Sequence, residues 1–414
     1  MKIHNLRTEN STDKARVAAT VTWEDCDQPT TDVYFETDAA FADSLTCNPH
    51  AFLVGCLIQA FYHGEERVFI DEEICPELHE GLTTAMHWIH YWFNDSFREI
   101  VRIEAITRAK SLTPGKPERA GFFFSGGIDS WAALRANRLK FPSEHPGSFK
   151  DGLVVYGMHL EEPPDFKQVL DSLSKVTIEA RINLLPVRTN IVSLGHGWDF
   201  WTTGLFAAAF SAVAHAVSHR LSVVSLASAG WSIPHLVPHA SHPLIDSNYS
   251  SSDLRIRHDG VTLSRLDKVR LLAGWDLALQ HLRVCNNTNA IRPDRLNCGR
   301  CEKCVRTMLE FLAVGALDRV SAFQANDVSP ELVLSAVRLD PIDAPFYQEL
   351  LGPLSERGRN DLVAAIKSKL SHYQRVEKVR RLKERVKQMD RKYFQGRLVG
   401  LKRSLSGNTQ AKVR

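Results

Sequence analysis

Phe122-Phe123-Phe124-Ser125-Gly126-Gly127-Ile128-Asp129-Ser130 is the stretch whose reading decides the fold of this 414-residue chain. The apolar run Ala120–Phe124 has the length and composition of a buried strand in a parallel sheet. It stops at Ser-Gly-Gly, and the apolar periodicity from about Trp131 to Leu139 predicts a helix. Two adjacent glycines let backbone N–H groups turn towards one point with no Cβ in the way. The start of the helix adds unpaired N–H donors and a partial positive charge, so the expected feature is an anion site. Ser125 and Ser130 can add hydroxyl donors, and Asp129 can either orient them or hold a magnesium ion accompanying a phosphate. A glycine turn with nothing bound is the plain alternative. Neither the Walker spacing nor the Gly-x-Gly-x-x-Gly dinucleotide spacing is present.

Working outward, strands and helices alternate on the C-terminal side. Gly152–Met158, Asn183–Arg188 and Leu221–Ala227 are predicted strands; Phe166–Ala180, Phe200–His219 and Arg265–Ala273 are predicted helices. This alternation predicts a doubly wound parallel sheet, whose ligands sit beyond the carboxyl ends of its strands. Loops holding His196, His242 and Asp246 converge there, and these three are candidate substrate-binding residues. His235, His239 and His242 are spaced so that they can ligate a metal, although prolines interrupt the segment; otherwise they line a pocket.

On the N-terminal side, residues 1–107 are expected to form a separate small α/β module. Its strands are Arg16–Trp23, Asp32–Glu36, Arg67–Asp71 and Glu99–Ala105, and its helices are His50–Tyr62, capped by Gly64, and Leu78–Phe93. Residues 108–119, rich in Pro and basic side chains, are the expected linker. The domain bearing the glycine loop would span 120–320, followed by a helical basic region, 321–414.

The cysteines give the second signal. Cys285, Cys298, Cys301 and Cys304 combine two x2 spacings with a fourth thiol a dozen residues upstream, a set able to close a tetrahedron around Zn2+. An iron–sulfur cluster and a redox pair are the alternatives. Cys26, Cys47, Cys56 and Cys75 have no ligand spacing and are expected to be apolar fillers.

Ser125-Gly126-Gly127-Ile128-Asp129-Ser130 resembles the pyrophosphate loop of the PP-loop (N-type) ATP pyrophosphatases. Together with the Cys…Cys-Gly-x-Cys-x-x-Cys pattern it resembles the 7-cyano-7-deazaguanine synthase family, over about Ala120–Leu317. Arg265-Leu266-Asp267-Lys268-Val269 is similar to the family's Lys-x-x-hydrophobic stretch. The family's Ser-Gly-Tyr-Pro-Asp-Cys-Arg stretch has no counterpart; Ser241-His242-Pro243-Leu244-Ile245-Asp246 stands in its place. The resemblance implies a HUP-like sheet, ATP with Mg2+ held by Ser125–Ser130 and Lys268, and catalytic roles for Asp129 and Lys268. It also implies a ligase that adenylates a carboxylate or carbonyl and releases pyrophosphate on the way to an amide or nitrile. An RNA-thiolating enzyme of the same superfamily and a non-catalytic nucleotide-binding module are the competing expectations.

Composition narrows the partners. At 44% hydrophobic and 24% charged the chain reads as globular, with no apolar run long enough to span a bilayer and no signal-peptide pattern; the expected place is the cytoplasm, with no membrane partner. Residues 361–414 hold 16 Lys/Arg against 4 Asp/Glu, a surplus of 12 that leaves the rest at −9 against an overall +3. This tail is expected to be a solvated basic helix, with nucleic acid the less favoured partner. The favoured partner is a small-molecule substrate or modified base, and a homodimer stays open.

Overall fold

The computed structural model describes residues 1–97, 99–108, 118–158, 163–195, 197–285, 287 and 296–394. The chain divides into two compact units, Met1–Asp327 and Val328–Arg414. The first is a mixed α/β unit, in which ten strands form one sheet flanked by helices; the second is helical.

In chain order the strands are β1 (Lys2–Asn10), β2 (Lys14–Thr22), β3 (Thr31–Asp38), β4 (Arg67–Ile74), β5 (Arg102–Thr107), β6 (Ala120–Phe123), β7 (Phe149–Tyr156), β8 (Asn183–Thr189), β9 (Val223–Ala227) and β10 (Arg255–Asp259). Across the sheet they run β10-β9-β6-β7-β8-β3-β2-β1-β4-β5. The five from β10 to β8 pair parallel. The next three pairings are antiparallel, and β1, β4 and β5 are parallel again.

The expected separation between residues 1–107 and the later strands is therefore not a break in the sheet. Phe35 and Glu36 of β3 pair with Thr189 and Arg188 of β8, so the N-terminal strands extend the sheet rather than forming their own. The physical reason is edge coverage: β8 would otherwise present unpaired backbone groups. Helix α1 (Pro49–His63) is buried along nearly its whole length, as its uniformly apolar sequence requires, and α2 (Pro76–Phe93) follows β4. It is capped by Asn48 at its start and ends at Gly64 in the left-handed conformation, φ 80°.

Helices cover both faces of the parallel strands. Phe124, just past β6, meets Trp131 of α3 (Ile128–Lys140) at 4.9 Å. Its neighbour Phe123 points the other way, to Phe210 at 4.8 Å in α4 (Phe206–Ala216). This is the alternation a strand imposes on adjacent side chains. The predicted helix over 200–219 is interrupted by a π-helical turn at Trp201–Leu205. Two further helices position the site: α5 (Arg265–Ala273), begun by a Ser264–Asp267 capping box, and α6 (Glu302–Val314).

The second unit contains α7 (Pro330–Ala336), α8 (Ala344–Glu356) and α9 (Asn360–Phe394). Leu362, Ile366 and Leu370 of α9 are buried, and this part of the helix packs on α7 and α8. Among the described residues no helix is long and apolar enough to cross a membrane.

Candidate functional site

Chain direction places the Ser125–Ser130 loop at the carboxyl end of β6, the middle strand of the five parallel ones. Gly126 takes φ +77°, a conformation that carries a steric penalty for any residue with a Cβ. The turn is held locally: the Gly127 N–H donates to Ser125 Oγ at 3.3 Å and the Ser130 hydroxyl to the Gly127 carbonyl at 3.0 Å. Gly127 is the N-cap of α3, so the amides of Ile128, Asp129 and Ser130 lie in the first turn, ahead of any i−4 carbonyl of their own helix. Serine hydroxyls, glycine backbone and helix start thus share one corner of the sheet.

The structure brings Lys268 to this corner, and with it a residue not singled out from the sequence. Lys268 Nζ lies 2.9 Å from Asp129 Oδ1 and also donates to the Ser228 carbonyl at the end of β9. Arg265 Nη1 lies 3.1 Å from Asp129 Oδ2. Each carboxylate oxygen therefore accepts from its own cation. Arg265 and Lys268 sit three apart on α5, on one helical face, and that spacing was the available signal.

Arg265 is held in turn from α6, where Glu310 accepts from its Nε at 3.2 Å and Thr307 Oγ1 lies 3.5 Å from Nη2. Burial pushes the Asp129 carboxyl up, but the charges of Lys268 and Arg265 outweigh it and hold it below the ordinary aspartate value. Burial, against the pull of Asp129, pushes the Lys268 ammonium down. Glu310 is raised, since burial outweighs the nearby arginines.

The four cysteines converge. Their sulfurs all lie within 4.8 Å of one another, with Cys285–Cys301 at 3.8 Å and Cys298–Cys304 at 3.9 Å. Four thiolates about 2.3 Å from a central ion in a tetrahedron are about 3.8 Å apart, so the cluster is already spaced to hold one metal ion. Cys301 is the N-cap of α6 and Cys304 lies in its first turn. Asn297 supports the upstream arm, accepting the Val284 N–H at 2.8 Å.

Two paths tie this cluster to the glycine loop. Along α6, one and two turns beyond Cys304, lie Thr307 and Glu310, which hold Arg265. Two residues before Cys285, the Arg283 N–H donates to the Gly126 carbonyl at 2.8 Å.

The predicted substrate residues fare differently. His196 lies outside the described residues. Asp246 is fully buried and already accepts from Ser241 Oγ (2.8 Å), the His242 N–H (2.9 Å) and His258 Nδ1 (2.7 Å), so it organises its own loop. His242 is 8% exposed, with its ring edge-on to Trp92 at 4.9 Å. Burial lowers the His239 and His242 pKa values. His239 Nδ1 and His242 Nδ1 each accept a backbone N–H, from Ser241 and Leu244, so these nitrogens cap turns. Among the described residues the cysteines are the one group with converging metal-ligand atoms, and His235, His239 and His242 form none. His258 came from a charged five-residue strand that the sequence pattern did not reveal.

No protein-family model, curated protein or solved structure matches the chain.

Proposed function

We propose that this chain is an ATP-dependent ligase or synthase of the PP-loop ATP pyrophosphatase type, which adenylates a carboxylate or carbonyl substrate and releases pyrophosphate. The observation that carries the reading is the Ser125–Ser130 turn at the head of the middle parallel strand, with the next helix starting inside it. Strand order supports it too. Numbered from β6, the parallel set runs 3-2-1-4-5, so the chain reverses direction at β6, where doubly wound sheets open a ligand crevice.

In this reading the loop amides and the two serine hydroxyls take the β and γ phosphates. The α-phosphorus would then face the carboxyl ends of β7, β8 and β9, the side from which a substrate would approach. Asp129, with both oxygens engaged by Lys268 and Arg265, fixes the helix start rather than binding magnesium. Lys268 and Arg265 keep positive charge beside the leaving pyrophosphate. Magnesium bound with the nucleotide would supply charge neutralisation at its phosphates.

The cysteine cluster is assigned Zn2+, because four soft thiolates leave no open coordination position and suit a structural tetrahedral ion. Four cysteines in the cluster and four in the segments before β5 leave no thiol assigned to a sulfur-transfer role, which favours ligation over RNA thiolation.

ATP labelled at the α-phosphate, incubated with candidate carboxylates and ammonia, is expected to give labelled AMP. Labelled ADP would reassign the chemistry. ATP binding measured by calorimetry tests the loop itself: Gly127→Val is expected to abolish it in a folded protein, and unchanged affinity would remove the assignment.

A further inference from the structure

We propose that Lys303 is a further ligand-binding residue of the same site, the one that takes the pyrophosphate end of the nucleotide; the inference rests on the pyrophosphate-loop reading above. Lys303 lies in the first turn of α6, with Cys301 at the N-cap before it and Cys304 directly after it. Two cysteines of the cluster thus fix its backbone on either side. Thr307 and Glu310, which hold Arg265, come four and seven residues later. At 3.6 residues per turn they fall within about 40° of Lys303 around the helix, whereas Cys304 is about 100° away. Lys303 therefore stands on the face of α6 turned to Arg265 and Asp129, one turn nearer the helix start, rather than on the face turned to the sulfurs. Arg306, Arg265, Glu302 and Asp129 are all near enough for their charges to act on its ammonium.

The fold makes no use of this ammonium. Both Asp129 oxygens accept from Lys268 and Arg265, Glu310 accepts from Arg265, and Glu302 pairs with Arg306 at 3.6 Å. Asp129, Glu302 and Glu310 are thus each supplied with a cation. Among the described residues Lys303 makes no hydrogen bond or ion pair, and it is exposed.

Charge and reach select the ligand group. The side chains of Lys268 and Arg265 are 2% and 9% exposed and are committed to Asp129, so they act on a bound phosphate mainly as fixed charge. Lys303 has a long flexible stem and an uncommitted ammonium, so it can close on an added oxygen directly. Asp129 sits in the loop whose amides take the β and γ phosphates in that reading, and Lys303 beside it meets those same groups. After cleavage it meets the free pyrophosphate, which carries more charge than the same groups did in ATP. The class of ligand is a pyrophosphate or the triphosphate end of a nucleotide, not a nucleoside monophosphate.

The test is calorimetry on the full chain with magnesium and three probes: inorganic pyrophosphate, ATP and AMP. Lys303→Met is expected to weaken pyrophosphate and ATP binding about tenfold or more, the worth of one charge-assisted contact, and to leave AMP unchanged. Lys303→Arg keeps the charge and is expected to restore both to within about threefold. The side chain is exposed, so the melting temperature and metal content of Lys303→Met should match those of the parent. Unchanged pyrophosphate affinity in Lys303→Met, an equal loss for AMP, no recovery in Lys303→Arg, or loss of bound metal would overturn the inference and leave the loop reading standing. A parent protein that binds neither pyrophosphate nor ATP would overturn both.

Discussion

Removing the anion from the Asp129 cluster should damage the protein more than removing one of its cations. Lys268 is 2% exposed and depends on Asp129 Oδ1 at 2.9 Å; the Asp129 side chain is 29% exposed and also has Arg265 at 3.1 Å. Asp129→Asn leaves a buried ammonium with the Ser228 carbonyl as a hydrogen-bond partner and the longer-range charge of Asp259, and breaking a buried pair in this way costs ~3–5 kcal/mol. Lys268→Met keeps the buried stem, leaves the carboxylate with Arg265 and partial water, and should cost about 1–2 kcal/mol. The double variant should be more stable than Asp129→Asn alone, because it no longer buries an unpaired charge; a coupling of about 1–3 kcal/mol is expected. Urea denaturation midpoints of the four proteins measure this directly. Lys268→Met as destabilising as Asp129→Asn, or additive effects in the double variant, would refute the pairing.

Gly126→Ala should cost about 1 kcal/mol, because φ +77° disfavours a Cβ and Leu173 Cδ2 would stand 3.3 Å from it. At Gly127, whose φ is −80°, a Cβ would meet Ser125 Oγ at an ordinary 3.4 Å, and Ala should leave the melting temperature nearly unchanged. His50, fully buried, has its pKa pushed down to about 2, chiefly by burial, while the unfolded imidazole takes a proton near 6.5. Unfolding therefore binds a proton throughout that window, and lowering the pH from 6.5 to 4.5 should remove about 2–3 kcal/mol of stability. In His50→Gln that share of the acid sensitivity should vanish from urea titrations at the two pH values. Elemental analysis of the reduced protein should find one zinc per chain, absent in Cys301→Ser; iron with inorganic sulfide would contradict the assignment.

Much of this architecture was legible in local pattern. The alternation of apolar runs with Gly- and Pro-marked turns located eight of the ten strands, and the helix expected over Arg265–Ala273 is α5. The two missed strands have physical explanations. Lys2–Asn10 has one face mostly in solvent and only one fully buried residue, Ile3, so it carries almost no apolar alternation. Arg255–Asp259 is an edge strand with four ionisable residues in five, whose burial is decided by Asp246 and Phe149 rather than by its own hydrophobicity. The cysteine set was readable because thiolate geometry acts through short spacings. Arg265, Glu310 and Arg283 were not, because their partners lie far away in the chain. Nor did composition reveal that β3 would meet β8, a pairing of only two residues on each strand.

That narrow join sets a schedule for synthesis. β3 leaves the ribosome roughly 150 residues before its neighbour β8, which at about 5–20 residues per second is on the order of 8 to 30 s. For that interval β3 is an open strand edge, the kind that recruits other chains. The strand is defended while it waits: Glu36 lies on it, 7% exposed in the finished fold, held by Lys14 at 3.0 Å and Arg16 at 2.6 Å from β2, which has already been made. A charged group at the edge repels a stray apolar strand. When β8 emerges, Arg188 comes to 3.2 Å from Asp38 and 4.0 Å from Glu36. The acids that discourage wrong neighbours are the ones that receive the right one.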